Sequence, residues 1–427
     1  MLQKPKGTYD IYGKRALMMN YLRSVFSSLI DKYNASYLET PMFEASELFH
    51  RGVGETTDIV SKETYDFKDR GDRDMTLRPE GTAGIVRSFI ENKLYADSLP
   101  LKAWYMGPMF RYERPQAGRY REFYQIGFEC FGTYDSMMDA EVISIVYNFL
   151  NLLGLKGVKV NINTLGDKES RENYHKALTD YFKPYLNDLC DDCNRRFEKN
   201  PLRILDCKVD ADKDFMKNAP KMTDYLNAES KEHFMKVQEY LNIMNIEYEI
   251  NPNIVRGLDY YTHTVFEVVA DIKDFGSQNV LAGGGRYNNL VENIGGPSVP
   301  GVGFAIGVER LLLALEYEGL DKVQANPVSV YIFGASTQEK KYLMCLANEL
   351  RSNGFKVDVD YESKSFKNNF KRADKINASF VIIIGDEEVK TNVLTIKNNK
   401  TKEEYKVKHD EIIEFLSEKL GDLDEDK

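Results

Sequence analysis

The stretch Arg121-Glu122-Phe123-Tyr124-Gln125-Ile126-Gly127-Phe128-Glu129-Cys130-Phe131 sorts its residues onto two faces when read with the period of a β-strand. The even positions Tyr124, Ile126, Phe128 and Cys130 are apolar. The odd positions are Phe123, Gln125, Gly127, Glu129 and Phe131, so two polar groups four residues apart flank a glycine. Such a face is either the floor of a small polar pocket walled by aromatics or an ordinary half-exposed strand. The residues before it bear on the choice. From 77 to 131, a helix following Pro79-Glu80-Gly81-Thr82 precedes two strand-like runs. The polar segment 113–120 joins these runs as an antiparallel hairpin with a long loop.

Arg111, Arg114, Arg119 and Arg121 lie on that loop and its flanks. Guanidinium groups suit bidentate contact with phosphate oxygens, and sharing a hairpin with the pocket points to a phosphate-bearing ligand. Neither standard nucleotide loop explains one. No Gly-x-x-x-x-Gly-Lys-Ser/Thr occurs, and Gly301-Val302-Gly303-Phe304-Ala305-Ile306-Gly307 misses the dinucleotide spacing by one residue. These glycines instead lead into a helix with Glu309 and Arg310 in its first turn, where the helix dipole favours anions.

Working outward, residues 14–33 carry Leu17, Tyr21, Leu22, Val25, Phe26, Leu29, Ile30 and Tyr33 at helical spacing, about five turns, followed by a strand through Tyr37 and Leu38. Residues 168–250 are polar and helix-favouring without strand alternation, which reads as a helical insertion. Strand signals return at 258–269, 278–282 and 301–306. A break at 325–327 opens a second pattern of strand, helix, strand, helix, strand, hairpin and helix. Its strands are expected at 328–333, 355–361 and 380–384, and Ser336-Thr337-Gln338-Glu339 has the form of a capping box. The expected organisation is therefore a mixed α/β (α+β) chain. An antiparallel-sheet domain over 1–325 is interrupted by the insertion at 168–250, and an α/β domain covers 327–427.

With 427 residues, 42% hydrophobic and 29% charged, the composition is that of a folded multidomain protein. The net charge of −10 does not exclude a nucleic-acid partner, because binding responds to local potential. Lys364, Lys367, Lys371 and Lys375, with Arg372, are spaced to make one basic helical face, which is either solvated surface or an RNA contact. No long apolar run and no export signal occur, so a reduced, cytoplasmic protein without membrane spans is expected. Cys190-Asp191-Asp192-Cys193 with Cys207 begins a zinc set, but a fourth ligand at suitable spacing is missing, and no metal is assigned.

Several of these motifs match a known family. Gly107-Pro108-Met109-Phe110-Arg111-Tyr112-Glu113 resembles the second signature motif of class II aminoacyl-tRNA synthetases, and Gly303-Phe304-Ala305-Ile306-Gly307-Val308-Glu309-Arg310 resembles the third. The helix at 14–33 with its strand is similar to the first, which forms the dimer interface in that class. Arg256-Gly257-Leu258-Asp259-Tyr260-Tyr261 and Ala282-Gly283-Gly284-Gly285-Arg286-Tyr287 look like the two motifs peculiar to histidyl-tRNA synthetases. The likeness extends over nearly the whole chain, including a C-terminal domain like the family's anticodon-binding domain.

The resemblance implies ligation of L-histidine to its tRNA through a histidyl-adenylate, with ATP and its Mg2+, by a homodimer. It implies that Arg111 and Arg256 hold the α-phosphate and the attacking carboxylate. Arg119 and Arg310 would hold the outer phosphates, with Glu113 near the adenine. Glu80, Thr82 and Gln125 would take the amino group, and Glu129 and Tyr261 the two imidazole nitrogens, with Tyr260 and Tyr287 close by. The resemblance assigns nothing to Leu258, Asp259 or His263. Two rivals remain: a synthetase-like regulatory subunit of ATP phosphoribosyltransferase, and another class II ligase with a similar C-terminal domain.

Overall fold

A computed structural model describes residues 2–54, 57, 59–207, 209–254, 258–272, 275, 279–323, 327–334, 337–362 and 364–425. The chain divides into two compact units, Met1–Val323 and Gln324–Lys427. The mixed α/β class with an antiparallel-rich sheet, expected from the sequence, is the class observed.

In the first unit the strands are β1 (Ser36–Tyr37), β2 (Phe43–Ala45), β3 (Tyr65–Lys68), β4 (Asp74–Leu77), β5 (Leu101–Phe110), β6 (Glu122–Phe131), β7 (Val158–Thr164), β8 (Tyr248–Ile250), β9 (Thr262–Ala270), β10 (Val280–Arg286) and β11 (Gly301–Gly307). Eight of them form one sheet in the order β1-β5-β6-β11-β10-β9-β7-β8, while β2-β4-β3 make a small separate sheet. The large sheet is antiparallel except at its two edges, where β1 joins β5 and β8 joins β7 in parallel. The hairpin read from sequence is β5 paired with β6, from Leu101 opposite Phe131 to Phe110 opposite Glu122.

Alternation along β6 decides what each sheet face does. Ile126, Phe128 and Cys130 enter the main core, among residues of the long helices Gly13–Asp31, Ser136–Leu152 and Ala228–Ile243. Phe131 points the other way, into a second core with Ile85, Val86 and Phe89 of the helix Thr82–Glu91 and with Tyr260, Tyr261 and Tyr287. One face is thus sealed by helices, and the opposite face is left for the site.

Two local readings change. Tyr21, placed on the apolar stripe of the first helix, is exposed, and Met18 and Met19 take the buried positions instead. The polar segment at 168–250 has its own apolar cluster around Tyr174, Leu178, Phe182 and Cys193. Its last part, however, packs Phe234, Val237 and Leu241 into the main core, and β8 extends the sheet edge. A three-residue strand is too short for period-two alternation to register.

The second unit contains β12 (Val328–Gly334), β13 (Val357–Val359), β14 (Ala378–Ile384), β15 (Val393–Asn398) and β16 (Glu404–Lys408), in the order β13-β12-β14-β15-β16. The strand expected at 355–361 shrinks to the three residues of β13. A short helix Asp386–Thr391, not read from sequence, begins where Glu388 accepts a hydrogen bond from the Gly385 amide at 2.9 Å. Ser336 of the expected capping box lies outside the described residues. Lys364 precedes the helix Phe366–Lys375 rather than joining its face.

Candidate active site

The open sheet face carries a cleft of about 490 Å³. Glu80, Thr82, Arg111, Glu113, Arg119, Gln125, Tyr260, Tyr261, Tyr287 and Arg310 all line it. Arg256 lies outside the described residues. Glu129 is not on the wall but directly beneath it, fully enclosed.

Glu129 is held from three elements. Thr82 Oγ1, in the first turn of the helix Thr82–Glu91, donates to its Oε1 at 2.7 Å, and the Tyr287 hydroxyl, just past β10, donates to its Oε2. Tyr105 of β5 approaches Oε1 at 3.5 Å. Burial pushes the carboxyl up to about 8, while the donating hydroxyls of Thr82 and Tyr287 oppose that rise. Two glycines make the packing possible. A Cβ on Gly127 would lie 2.1 Å from the Tyr105 ring, and one on Gly303 would lie 1.9 Å from Glu129 Oε2 and 2.4 Å from the Phe128 carbonyl oxygen.

The cationic part sits further along the same strands. Gln125 pairs with Gly307, four residues from the Glu129–Gly303 pair, a displacement of about 13 Å at strand rise. Arg310 follows in the first turn of the helix Val308–Tyr317, and its Nη1 donates to the Val280 carbonyl at 3.2 Å. Arg111 Nε donates to the Pro79 carbonyl at 2.9 Å, with its guanidinium 5.2 Å from the centre of the Phe123 ring. Arg119 Nη1 meets Glu113 Oε2 at 3.2 Å. Burial lowers the pKa of Arg310, and the nearby positive charges of Arg119 and Arg111 lower it further. Arg111, Arg119 and Arg310 thus share one wall of the cleft with the Glu113 carboxylate.

Other residues prove to be scaffold. Arg121 leaves the cleft, its guanidinium 3.8 Å over the Tyr112 ring and its Nε donating to the Glu113 carbonyl at 3.2 Å. Arg114 is not among the lining residues. Arg78 is buried and donates to the carbonyls of Pro108 and Thr40 at 2.8 and 2.7 Å. Arg286 turns into the protein towards the Asp139 carboxylate. Glu80, by contrast, lines the cleft, and its two oxygens accept the backbone amides of Thr82 and Ala83 at 2.8 Å, which fixes it at the start of the helix. Glu309 is buried, accepting from the Tyr124 amide at 2.9 Å and from the Tyr9 hydroxyl.

Asp259 acquires a role. Its Oδ1 accepts from Arg203 Nη2 at 2.9 Å and Asn200 Nδ2 at 3.4 Å, while Arg171 Nη1 donates to the Tyr261 carbonyl at 3.1 Å. The polar segment therefore grips the loop bearing Tyr260 and Tyr261. Arg171, Asn200 and Arg203 carried no sequence signal, because single polar residues in a polar stretch do not announce a distant partner.

Residues 7–311 match the family model for histidyl-tRNA synthetase. The chain belongs to that family. Residues 328–419 match an anticodon binding domain. A histidine–tRNA ligase of Bacillus cytotoxicus is 47% identical over 98% of this chain and 99% of its own length. One from Anoxybacillus flavithermus is 48% identical over 95% and 96%. Among solved structures, the apo histidyl-tRNA synthetase of S. aureus superposes with a TM-score of 0.83 at 40% identity, covering 97% of this chain and all of that one. A Bacillus halodurans protein described as an ATP phosphoribosyltransferase regulatory subunit/histidyl-tRNA synthetase superposes at 0.64, with 20% identity over 90% and 98% of the two chains, and shares the fold alone. Among the described residues, no helix is long and apolar enough to cross a membrane.

Proposed function

We propose that this histidyl-tRNA synthetase family member joins L-histidine to ATP, releasing pyrophosphate. It then transfers the histidyl group from the adenylate to the terminal ribose of its tRNA, releasing AMP. The observation that carries this reading is that the guanidiniums of Arg111, Arg119 and Arg310 line the same cleft as Thr82 and Tyr287, which hold the buried Glu129 carboxyl beneath it. An anionic triphosphate suits the guanidiniums. An imidazole, which offers one donor and one acceptor, suits the carboxyl.

The histidine carboxylate attacks the α-phosphorus as the bond to pyrophosphate breaks. Both reactants are anionic where they meet, so the work of the protein is neutralisation and alignment rather than covalent catalysis. Arg111 and Arg256 hold the α-phosphate and the incoming carboxylate. Arg119 and Arg310 hold the outer phosphates, and Glu113 lies by the adenine. Mg2+ arriving with ATP would neutralise phosphate charge, and Glu267, which also lines the cleft, would be a carboxylate able to hold it. Glu80, Thr82 and Gln125 receive the substrate amino group, the Thr82 oxygen accepting on its free side while its proton stays on Glu129. Glu129 and Tyr261 take the two ring nitrogens between Tyr260 and Tyr287. A site whose buried polar groups require partners rejects analogues lacking them by roughly 10⁴–10⁵, so no editing domain is needed.

The unit after residue 323 binds the anticodon arm, and the protein works as a cytoplasmic homodimer. Tyr12, Met42, Phe43 and Phe67 are exposed apolar groups next to the helix and strands of the first motif, as an interface requires. Sedimentation should give twice the 49.2 kDa chain mass.

The deciding experiment is histidine-dependent ATP–pyrophosphate exchange, paired with charging of tRNA. Absence of exchange from folded protein would overturn the enzyme reading, and exchange without charging would leave only the adenylate step. Arg256→Ala should slow adenylate formation at least about 10²-fold, as does loss of a charge-stabilising donor elsewhere. A near-normal rate would remove Arg256 from the mechanism.

A further inference from the structure

Within the segment that grips the Asp259 loop, three thiols and a carboxylate converge outside the cleft. Cys190, Cys193, Cys207 and Asp210 bring one potential ligand atom each to within 4.8 Å of all the others. Asp210 is the fourth group that the cysteine spacing did not reveal. It follows Cys207 by three positions, as Cys193 follows Cys190, so the set is two Cys-x-x-ligand turns facing each other. We propose that these four side chains bind one zinc ion, which fastens this module together.

The geometry favours a single ion. Cys190 Sγ and Cys207 Sγ are 3.7 Å apart. That is far beyond a disulfide bond of about 2.05 Å. It agrees with the edge of a tetrahedron of zinc–sulfur bonds, about 3.8 Å for bonds of 2.3 Å. Asp210 Oδ2 lies 3.7 Å from Cys207 Sγ, a spacing of the same kind. An iron–sulfur cluster would hold its cysteine sulfurs further apart than these. Soft thiolates with one oxygen select zinc over magnesium or calcium.

The surroundings supply what a thiolate site requires. Cys193, Cys207 and Asp210 are buried, Cys193 and Asp210 wholly so. Three thiolates and a carboxylate overcompensate a divalent ion, and the excess negative charge is met by Lys213 Nζ, 2.8 Å from Asp210 Oδ1. The Asp210 amide donates to Cys207 Sγ at 3.4 Å, and the Cys190 amide donates to Asp210 Oδ2 at 3.0 Å, which orients both ligands.

The location gives the ion a use. Cys190 and Cys193 open the helix Asp191–Lys199, and Cys207 closes the turn Pro201–Asp206 that carries Arg203. The apolar cluster here is small, centred on Tyr174, Leu178, Phe182, Leu189 and Ile204. Small cores of this kind are commonly reinforced by a structural metal. Zinc would join the two elements and keep Arg203 on Asp259.

The test uses the full chain, purified reduced and without chelator from zinc-supplemented medium. Elemental analysis should give about one zinc per chain, as for a closed structural site. After removal of the metal under reducing, anaerobic conditions, Co2+ should give visible d–d bands and a thiolate-to-cobalt charge-transfer band at one equivalent. Cys193→Ser should weaken Co2+ binding by more than about tenfold. Should that variant fail to fold, the wild-type zinc content and cobalt spectrum decide alone. Zinc below about a tenth per chain together with no cobalt bands overturns the proposal. So does an intact mass lowered by one pair of hydrogens through a Cys190–Cys207 disulfide.

Discussion

Thr82 Oγ1 donates a 2.7 Å hydrogen bond to Glu129 Oε1, tying the first turn of a helix to a carboxylate that the sheet encloses completely. Replacing the carboxyl by an amide keeps the shape but exchanges one oxygen for an NH2 group that can only donate. Glu129→Gln should lower kcat/KM for histidine roughly 5- to 150-fold, the range for leaving a buried polar group without its partner, with little change in KM for ATP. Equal loss for both substrates would mean that Glu129 supports the cleft without reading histidine. The sign of the pH effect follows from burial. The folded pKa of about 8 exceeds the ordinary 4.5, so the stability linked to this group is complete below 4.5 and is lost as pH rises to about 8. The melting temperature of Glu129→Gln should therefore gain on the parent across that window.

Gly303 is the position where β11 passes the same carboxylate. A Cβ there meets Glu129 Oε2 and the Phe128 carbonyl, and the backbone oxygen cannot turn aside. Gly303→Ala should destabilise the protein by about 1–3 kcal/mol through overpacking and raise KM for histidine by displacing Glu129. Calorimetry and steady-state kinetics check the two effects. Unchanged values for both would contradict the close approach.

Legibility from sequence followed periodicity. Alternation along β6 put Gln125 and Glu129 on one face, and the structure keeps them there, because a one-residue slip would push both into the apolar core that takes Ile126, Phe128 and Cys130. Resemblance supplied the candidates Glu80, Thr82, Tyr260 and Tyr287, which chain-distant folding brings to one cleft. Sequence could not separate the arginines that line the cleft from those that hold the scaffold. Arg111 and Arg121 lie on flanks of one loop, yet only Arg111 faces the cleft, while Arg121 covers Tyr112. The anchoring of Asp259 by Arg203 depends on a contact across 56 positions, and no local pattern encodes it.

Arg286, in the glycine-rich motif that resembles the family's own, faces Asp139, and both side chains are fully buried. Its Nε lies 3.1 and 3.0 Å from the two carboxylate oxygens, and its Nη1 donates to the Thr133 carbonyl at 2.7 Å. Asp139→Asn leaves the guanidinium buried without its counter-charge, which should cost about 3–5 kcal/mol. Burial raises the Asp139 pKa, but Arg286 and then His233 outweigh it and hold the carboxyl well below the usual range. A depressed acid contributes stability above its unfolded pKa of 3.8 and loses it as pH falls further. Denaturation followed from pH 7 downward should show the gap between parent and variant closing only below about pH 4.

In the second unit the helix Phe366–Lys375 is strongly basic. Lys367, Lys371 and Lys375 recur every four positions and are exposed, so they form one basic stripe, whereas Arg372 is engaged with Asp358 at 3.1 Å. If the stripe meets an RNA backbone, each lysine displaces condensed counterions, and replacing all three by alanine should reduce the salt dependence of tRNA binding by about two to three in slope. Charging should fall through KM for tRNA, while histidine-dependent exchange measured without tRNA stays at the parent rate. A solvated stripe predicts no change in slope. Loss of exchange as well would mean that the substitutions disturb the fold, which an unchanged melting temperature excludes.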